Sequence, residues 1–141
     1  MRIRRASLDE LVAHALEDPK NEVCGVLAVE LDGASADARS ARAVEVHRAV
    51  NLHASPLKFE IDPSELLKLY NAIDAAGYSL GAIYHSHVRS EPYPSQTDIG
   101  FAARWPGVEW IIVGLADGHA PEVRSYLIED GRVREVALEV E

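Results

Sequence analysis

One cysteine, Cys24, stands alone in 141 residues, so the chain cannot form an internal disulfide. A reducing, cytoplasmic setting is the expectation. No secretory leader is expected either, since Met1-Arg2-Ile3-Arg4-Arg5 gives way at once to polar and acidic residues. No apolar run approaches the roughly 18 residues that a membrane span needs. A basic excess is also absent. There are 23 Asp and Glu against 14 Lys and Arg, a formal charge of −9. That balance argues against general nucleic-acid binding and against docking on an anionic membrane. Apolar residues make up 48% and charged residues 26%, as in a soluble globular protein. The length fits one domain, residues 1–141. What the chain has in plenty is histidine: six, two of them separated by a single residue.

No internal repeat or linker interrupts the chain. The small polar stretch 33–40 reads as a surface loop. Ser7-Leu8-Asp9-Glu10 is a capping box that predicts a first helix with Ser7 as N-cap. Asp62-Pro63-Ser64-Glu65 predicts a second, with Asp62 capping, Glu65 closing the box and Gly77 ending the helix. A short third helix is expected from Ser95. Strands are predicted over 23–29, 44–50, 57–61, 80–84, 108–115, 123–129 and 133–140, the last two joined by the hairpin signal Asp130-Gly131. The sum is an α+β fold: a mostly β core sheet flanked by two long helices and one short one. Strands and helices do not alternate, which argues against a doubly wound sheet.

The chemistry concentrates where the 80–84 strand runs into a Pro-rich loop. His85 and His87 at i and i+2 point the same way on extended backbone. Two imidazoles make half of a tetrahedral zinc site, and Asp98, eleven residues after His87, is a natural third ligand. Two His and one Asp leave one position open, the plan of a catalytic site rather than a structural one. Ser95 and Asp98 also have the spacing of an ordinary helix cap. A hydrolytic zinc site needs a general base, and Glu22, at the entry to an apolar strand, is the best candidate; a solvated strand end is the plainer reading. Cys24, two residues on, is either a small core residue or a thiol able to reach zinc. The other histidines read as ordinary, His14 on a helix, His47 on a strand and His53 and His119 in loops, and Tyr70, Trp105 and Trp110 read as core or groove wall.

These residues resemble the JAMM (MPN-plus) metalloproteases, whose pattern is an upstream Glu followed by His-x-His-x7-Ser-x2-Asp. His85-Ser86-His87, seven residues, Ser95, two residues and Asp98 fit it throughout. Glu22-Val23-Cys24-Gly25-Val26-Leu27 matches the upstream pattern of bacterial members, and the group that cleaves adducts from sulfur-carrier proteins looks most similar. The resemblance implies a single JAMM/MPN, cytidine-deaminase-like domain. It implies one zinc held by His85, His87 and Asp98 with water as the fourth ligand. Glu22 would be the base and then the proton donor to the leaving amine, and Ser95 would hydrogen-bond the oxyanion. The implied partner is a ubiquitin-like sulfur-carrier protein ending in Gly-Gly, from which an amino acid such as cysteine, or a short extension, is released. The chain is short enough to lack the insertions with which eukaryotic relatives grip ubiquitin chains. A non-catalytic scaffold and a RadC-like metal-dependent protein are the alternatives. The intact set of five motif residues opposes the first and the acidic balance opposes the second. Edge strands could support a homodimer, which no residue decides.

Overall fold

The computed structural model describes residues 1–31, 41–116 and 120–141. The 33–40 stretch and His119 lie outside them. Among the described residues eight strands form one sheet: β1 (Arg2–Ile3), β2 (Cys24–Leu31), β3 (Ala41–Ala49), β4 (Ser79–His87), β5 (Glu109–Gly114), β6 (Glu122–Glu129), β7 (Arg132–Val136) and β8 (Glu139–Val140). Their order is β7-β6-β5-β4-β2-β3-β1-β8. The helices are α1 (Arg5–Glu17), α2 (Pro63–Ala75) and the short α3 (Gln96–Ala102). The expected α+β composition is what is found. No helix among the described residues is long and apolar enough to cross a membrane.

Period-two alternation sorts the strand residues into two cores. Leu27, Val29, Ala82, Tyr84, Ile111 and Val113 pack with Leu11 and Ala15 of α1 on one face. Cys24, Val26, Ile83, Trp110, Ile112 and Tyr126 pack with Ile73 of α2 and Ala102 of α3 on the other. Because both faces are covered, β2 and β5 read as near-continuous apolar runs. β4 is central, antiparallel to β2 and parallel to β5, with α3 in the crossover between β4 and β5.

Several local expectations change. α1 begins at Arg5 with Arg4 in the N-cap position and no side-chain cap, so Ser7 lies inside the first turn. The cause is β1, held in parallel between β3 and β8, which leaves the Arg5 N–H to the Glu141 carbonyl (3.2 Å). Asp62 caps α2 as expected, accepting from the Ser64 N–H at 2.8 Å. Glu65, however, turns away from the box to accept the Val50 N–H at 3.0 Å. Gly77, at φ 84°, does end that helix, with Gly77 N–H on the Asp74 carbonyl and Tyr78 N–H on the Ile73 carbonyl. Residues 57–61 form no strand; only an isolated bridge joins Asn51 to Ile61. The Asp130-Gly131 hairpin is present with both residues at positive φ, the geometry of a type I′ turn. The 133–140 strand is broken at Ala137 and Leu138. β7 and β8 then lie at opposite ends of the strand order, although Val136 and Glu139 can be no more than about 11 Å apart along the chain. The sheet is therefore strongly rolled.

His14 is not merely solvated. It accepts the Tyr84 hydroxyl at 2.7 Å, beneath the central strand. Burial lowers its pKa, with Arg48 acting in the same direction, which keeps the imidazole neutral for that role. Room for the Tyr84 ring depends on Gly25. A Cβ there would fall 2.5 Å from Tyr84 Cζ and 2.5 Å from the His47 carbonyl oxygen. Gly25→Ala is expected to destabilise the fold by about 2 kcal/mol or more through overpacking. Chemical denaturation of the variant against the parent measures this.

Candidate metal centre

His85 and His87 leave β4 on the face shared with Ile83, and both are buried. The chain then turns through its Pro-rich loop into α3, whose N-terminus brings Asp98 back over them. Three donor atoms converge. The two Nε2 atoms are 3.0 Å apart, and Asp98 Oδ2 lies 3.1 Å from His85 Nε2 and 3.3 Å from His87 Nε2. Ligands on a tetrahedral zinc with bonds of about 2.0–2.1 Å are separated by roughly 3.3 Å. The triangle therefore has the dimensions of one face of such a site, with the fourth vertex left open.

Each corner is held separately. The His87 Nδ1–H donates to the Glu91 carbonyl at 2.8 Å, which fixes the tautomer that turns the Nε2 lone pair inward. His85 has no such bond, since its buried Nδ1 has no partner among the described residues. Its ring is instead stacked on Phe59, with centroids 4.4 Å apart and planes 24° apart. Asp98 Oδ2 accepts the Ser95 N–H at 2.9 Å while Ser95 Oγ accepts the Asp98 N–H at 3.1 Å. The helix cap and the site residue are thus the same carboxylate, and the two readings of Ser95-x-x-Asp98 do not compete. Ser95 Oγ uses an acceptor lone pair for the cap, which leaves its proton free to donate.

Charge follows from burial and neighbours. Burial alone would raise the Asp98 pKa, but the two imidazoles and the Ser95 N–H hold it well below the usual carboxylate range. Burial lowers that of His85. In His87 the burial penalty is outweighed by Asp98 and the Glu91 carbonyl, so its pKa is raised.

Glu22 is also buried, and it faces this cluster. It offers a carboxylate oxygen within 4.8 Å of the ligand atoms of both histidines. Two carboxylates thus compete for the third ligand place. Asp98 is the better placed, because its oxygen completes a triangle of ligand-edge length. The Glu22 Oε1 has no hydrogen-bond partner among the described residues. Burial pushes the Glu22 carboxyl up to about 7, against the opposing pull of His87. A buried, unpartnered carboxylate beside an open vertex suits an acceptor of a water proton. It is not the solvated strand end that the local sequence also allowed. Cys24 pairs across the ladder with His85, but packs into the α2-side core. It is a core residue, its thiol pushed up to about 12 by burial, and it does not join Glu22, His85 and His87 in their cluster. His47 and His53 pair with Glu45 and Glu60 at the surface.

Two supports escaped the sequence reading. Ser86, between the histidines, faces the opposite side of β4. Its Oγ accepts the Val23 N–H at 2.9 Å and its N–H donates to the Val23 carbonyl at 3.1 Å, locking the residue after Glu22 onto the histidine strand. A hydroxyl in the middle of an otherwise buried strand was the available signal. Tyr126 donates to the Pro92 carbonyl and steadies the loop that carries Glu91; nothing local in the sequence marks it.

Comparison with known proteins adds to the geometry. Residues 4–129 match the family described as prokaryotic homologs of the JAB domain. The chain is 37% identical over 138 residues to the CysO-cysteine peptidase of Mycobacterium tuberculosis H37Rv, covering 98% of this chain and 89% of that protein. It is 40% identical over 109 residues to a desampylase of Haloferax volcanii, covering 74% and 73%. The solution structure of protein DSY2949 from Desulfitobacterium hafniense superposes with a TM-score of 0.83 at 29% identity, covering 100% of this chain and 93% of that one.

The two carboxylates separate experimentally. Asp98→Ala and His87→Ala are expected to weaken zinc binding by about 100-fold or more, whereas Glu22→Gln stays within about threefold of the parent. Competition titration against a chromophoric chelator reads both. An equal loss in Glu22→Gln would make Glu22 a ligand.

Proposed function

Because the chain belongs to the prokaryotic JAB-domain family, we propose that it is a zinc-dependent hydrolase acting on a ubiquitin-like sulfur-carrier protein. It cleaves the amide bond after the carrier's C-terminal Gly-Gly and releases an amino acid such as cysteine, or a short extension. A cytoplasmic setting, with residues 1–141 acting as one domain, is part of this reading. The observation that carries it is the triangle of His85, His87 and Asp98 donor atoms with the unpartnered Glu22 carboxylate beside its open vertex. The Mycobacterium and Haloferax relatives, a CysO-cysteine peptidase and a desampylase, support the substrate class.

His85, His87 and Asp98 would hold the zinc. When bound, the ion supplies Lewis-acid polarisation of a carbonyl and a more acidic water. The chain's own groups do the rest. Glu22 takes a proton from the attacking water and returns it to the leaving nitrogen, a role suited by a carboxyl poised near neutrality. The Ser95 hydroxyl, its acceptor side engaged in the α3 cap, donates its proton to the carbonyl oxygen as negative charge develops. The buried walls around the histidines, Phe59 and Trp110 among them, keep bulk water from the cluster. A Gly-Gly tail suits a narrow approach, because glycine brings no side chain against the walls.

Mass spectrometry of a carrier protein bearing one extra C-terminal amino acid tests this. Incubation with the parent is expected to remove that residue's mass, chelation to stop the reaction and added zinc to restore it. Glu22→Gln should keep its metal and lose about 100-fold or more in turnover. A zinc-loaded parent that leaves every adduct intact, or a Glu22→Gln variant that cleaves at the parent rate, defeats the reading.

A further inference from the structure

Asn51 follows β3, in the segment that leads to α2, and its side chain uses its whole hydrogen-bonding capacity. Nδ2 donates to the carbonyls of Glu22 and Lys58, each at 3.0 Å. Oδ1 accepts from the N–H groups of His53 and Glu60, each at 3.1 Å. The partners fall in two places that matter to the metal centre. Glu22 is one. Lys58 and Glu60 flank Phe59, whose ring is stacked on His85. A single amide therefore ties the peptide of the base to both peptides beside the ring that backs a ligand histidine.

Glu22 depends on such an anchor. β2 starts only at Cys24, so Glu22 stands outside the strand ladder. Its Oε1 has no partner among the described residues, so no bond from them to that oxygen fixes the side chain's reach. Its place is set through the backbone: the N–H on the Ser55 carbonyl at 2.8 Å, the carbonyl on Asn51, and the next residue on Ser86. The Ser55 contact comes from the same 51–60 segment that Asn51 closes on itself. That segment has little regular pairing of its own: the Asn51–Ile61 bridge, the Leu52 N–H on the Glu60 carbonyl at 3.0 Å and a turn bond from the Ala54 N–H to the Asn51 carbonyl at 3.3 Å.

We propose that Asn51 is a positioning residue that sets the distance between Glu22 and the His85–His87–Asp98 triangle. Its catalytic consequence rests on the hydrolase reading; the anchoring does not. Asn51→Asp is the discriminating variant. It has nearly the same shape and keeps the acceptor for His53 and Glu60, but loses both donors, so the hold on Glu22 and Lys58 is cut while the turn survives.

Four results are expected. Amide hydrogen exchange at Glu22 quickens by about tenfold or more while the central residues of β2 keep the parent rate. Zinc stays at about one per chain. The kcat falls by about 10-fold to 100-fold with KM within about twofold. In a Glu22→Gln background, measured by single turnover with excess enzyme, Asn51→Asp costs nothing further. Unchanged exchange at Glu22, or a kcat loss of the same factor in both backgrounds, overturns the proposal. If Asn51→Asp does not fold, Asn51→Ala takes its place, and loss of the fold there too assigns Asn51 a structural role and ends the proposal. A parent that cleaves no adduct defeats the hydrolase reading instead, and the exchange arm still decides whether Asn51 anchors Glu22.

Discussion

A single carboxylate oxygen, Asp98 Oδ2, joins the helical and the strand halves of the site. It accepts the Ser95 N–H and so starts α3, and it faces both imidazoles on β4. Capping fixes it far more firmly than a free side chain on a loop would be fixed, because Ser95 and Asp98 bond each other reciprocally. The arrangement also stores charge. A buried anion between two imidazoles is stable only with partners, and the negative charge of the Asp98 carboxylate, kept ionised by those partners, is what would favour a bound cation. The placement of the Asp98 carboxylate beside the two imidazoles is thereby built into secondary structure, through the cap of α3.

The sheet supplies the other half of that geometry. β4 lies between β2 and β5, with cores on both faces, so the backbone carrying His85 and His87 has little freedom. Under it the Tyr84–His14 bond and the absence of a side chain at Gly25 allow β2 and β4 to pack as they do. Above it, Phe59 replaces the hydrogen bond that His85 lacks. Rigid strand and capped helix carry His85, His87 and Asp98, whereas Glu22 sits just outside the ladder, held by the Ser55 carbonyl and the Asn51 side chain rather than by strand pairing.

The parts of the site that were legible in the sequence are those whose chemistry is local. His85 and His87 share a face because of the two-residue period of a strand, and Ser95 with Asp98 announces a cap at a fixed spacing. Gly77 and Asp130-Gly131 were legible for the same reason: positive φ has a residue signature. What depends on distant partners was not. Ser7 lost the N-cap because β8, more than 130 residues away, holds β1 and lets α1 begin earlier. Residues 57–61 have strand-like composition, yet Phe59 and Ile61 are buried from an irregular segment whose backbone groups are met by the Asn51 side chain. The break between β7 and β8 reflects the roll of the whole sheet. Ser86 and Tyr126 act across the fold, and no short window of sequence contains both ends of their bonds.

The burial of Cys24 has a consequence for oxidation chemistry. Peroxides, alkylating reagents and disulfide exchange all act on the thiolate, and a thiol with a pKa near 12 is almost wholly protonated at neutral pH. The chain's one thiol is therefore shielded both by burial and by its protonation, although it stands directly across the ladder from His85. The cluster of nitrogen and oxygen donors has its neighbouring sulfur kept in the core, away from thiol-bearing molecules in solution.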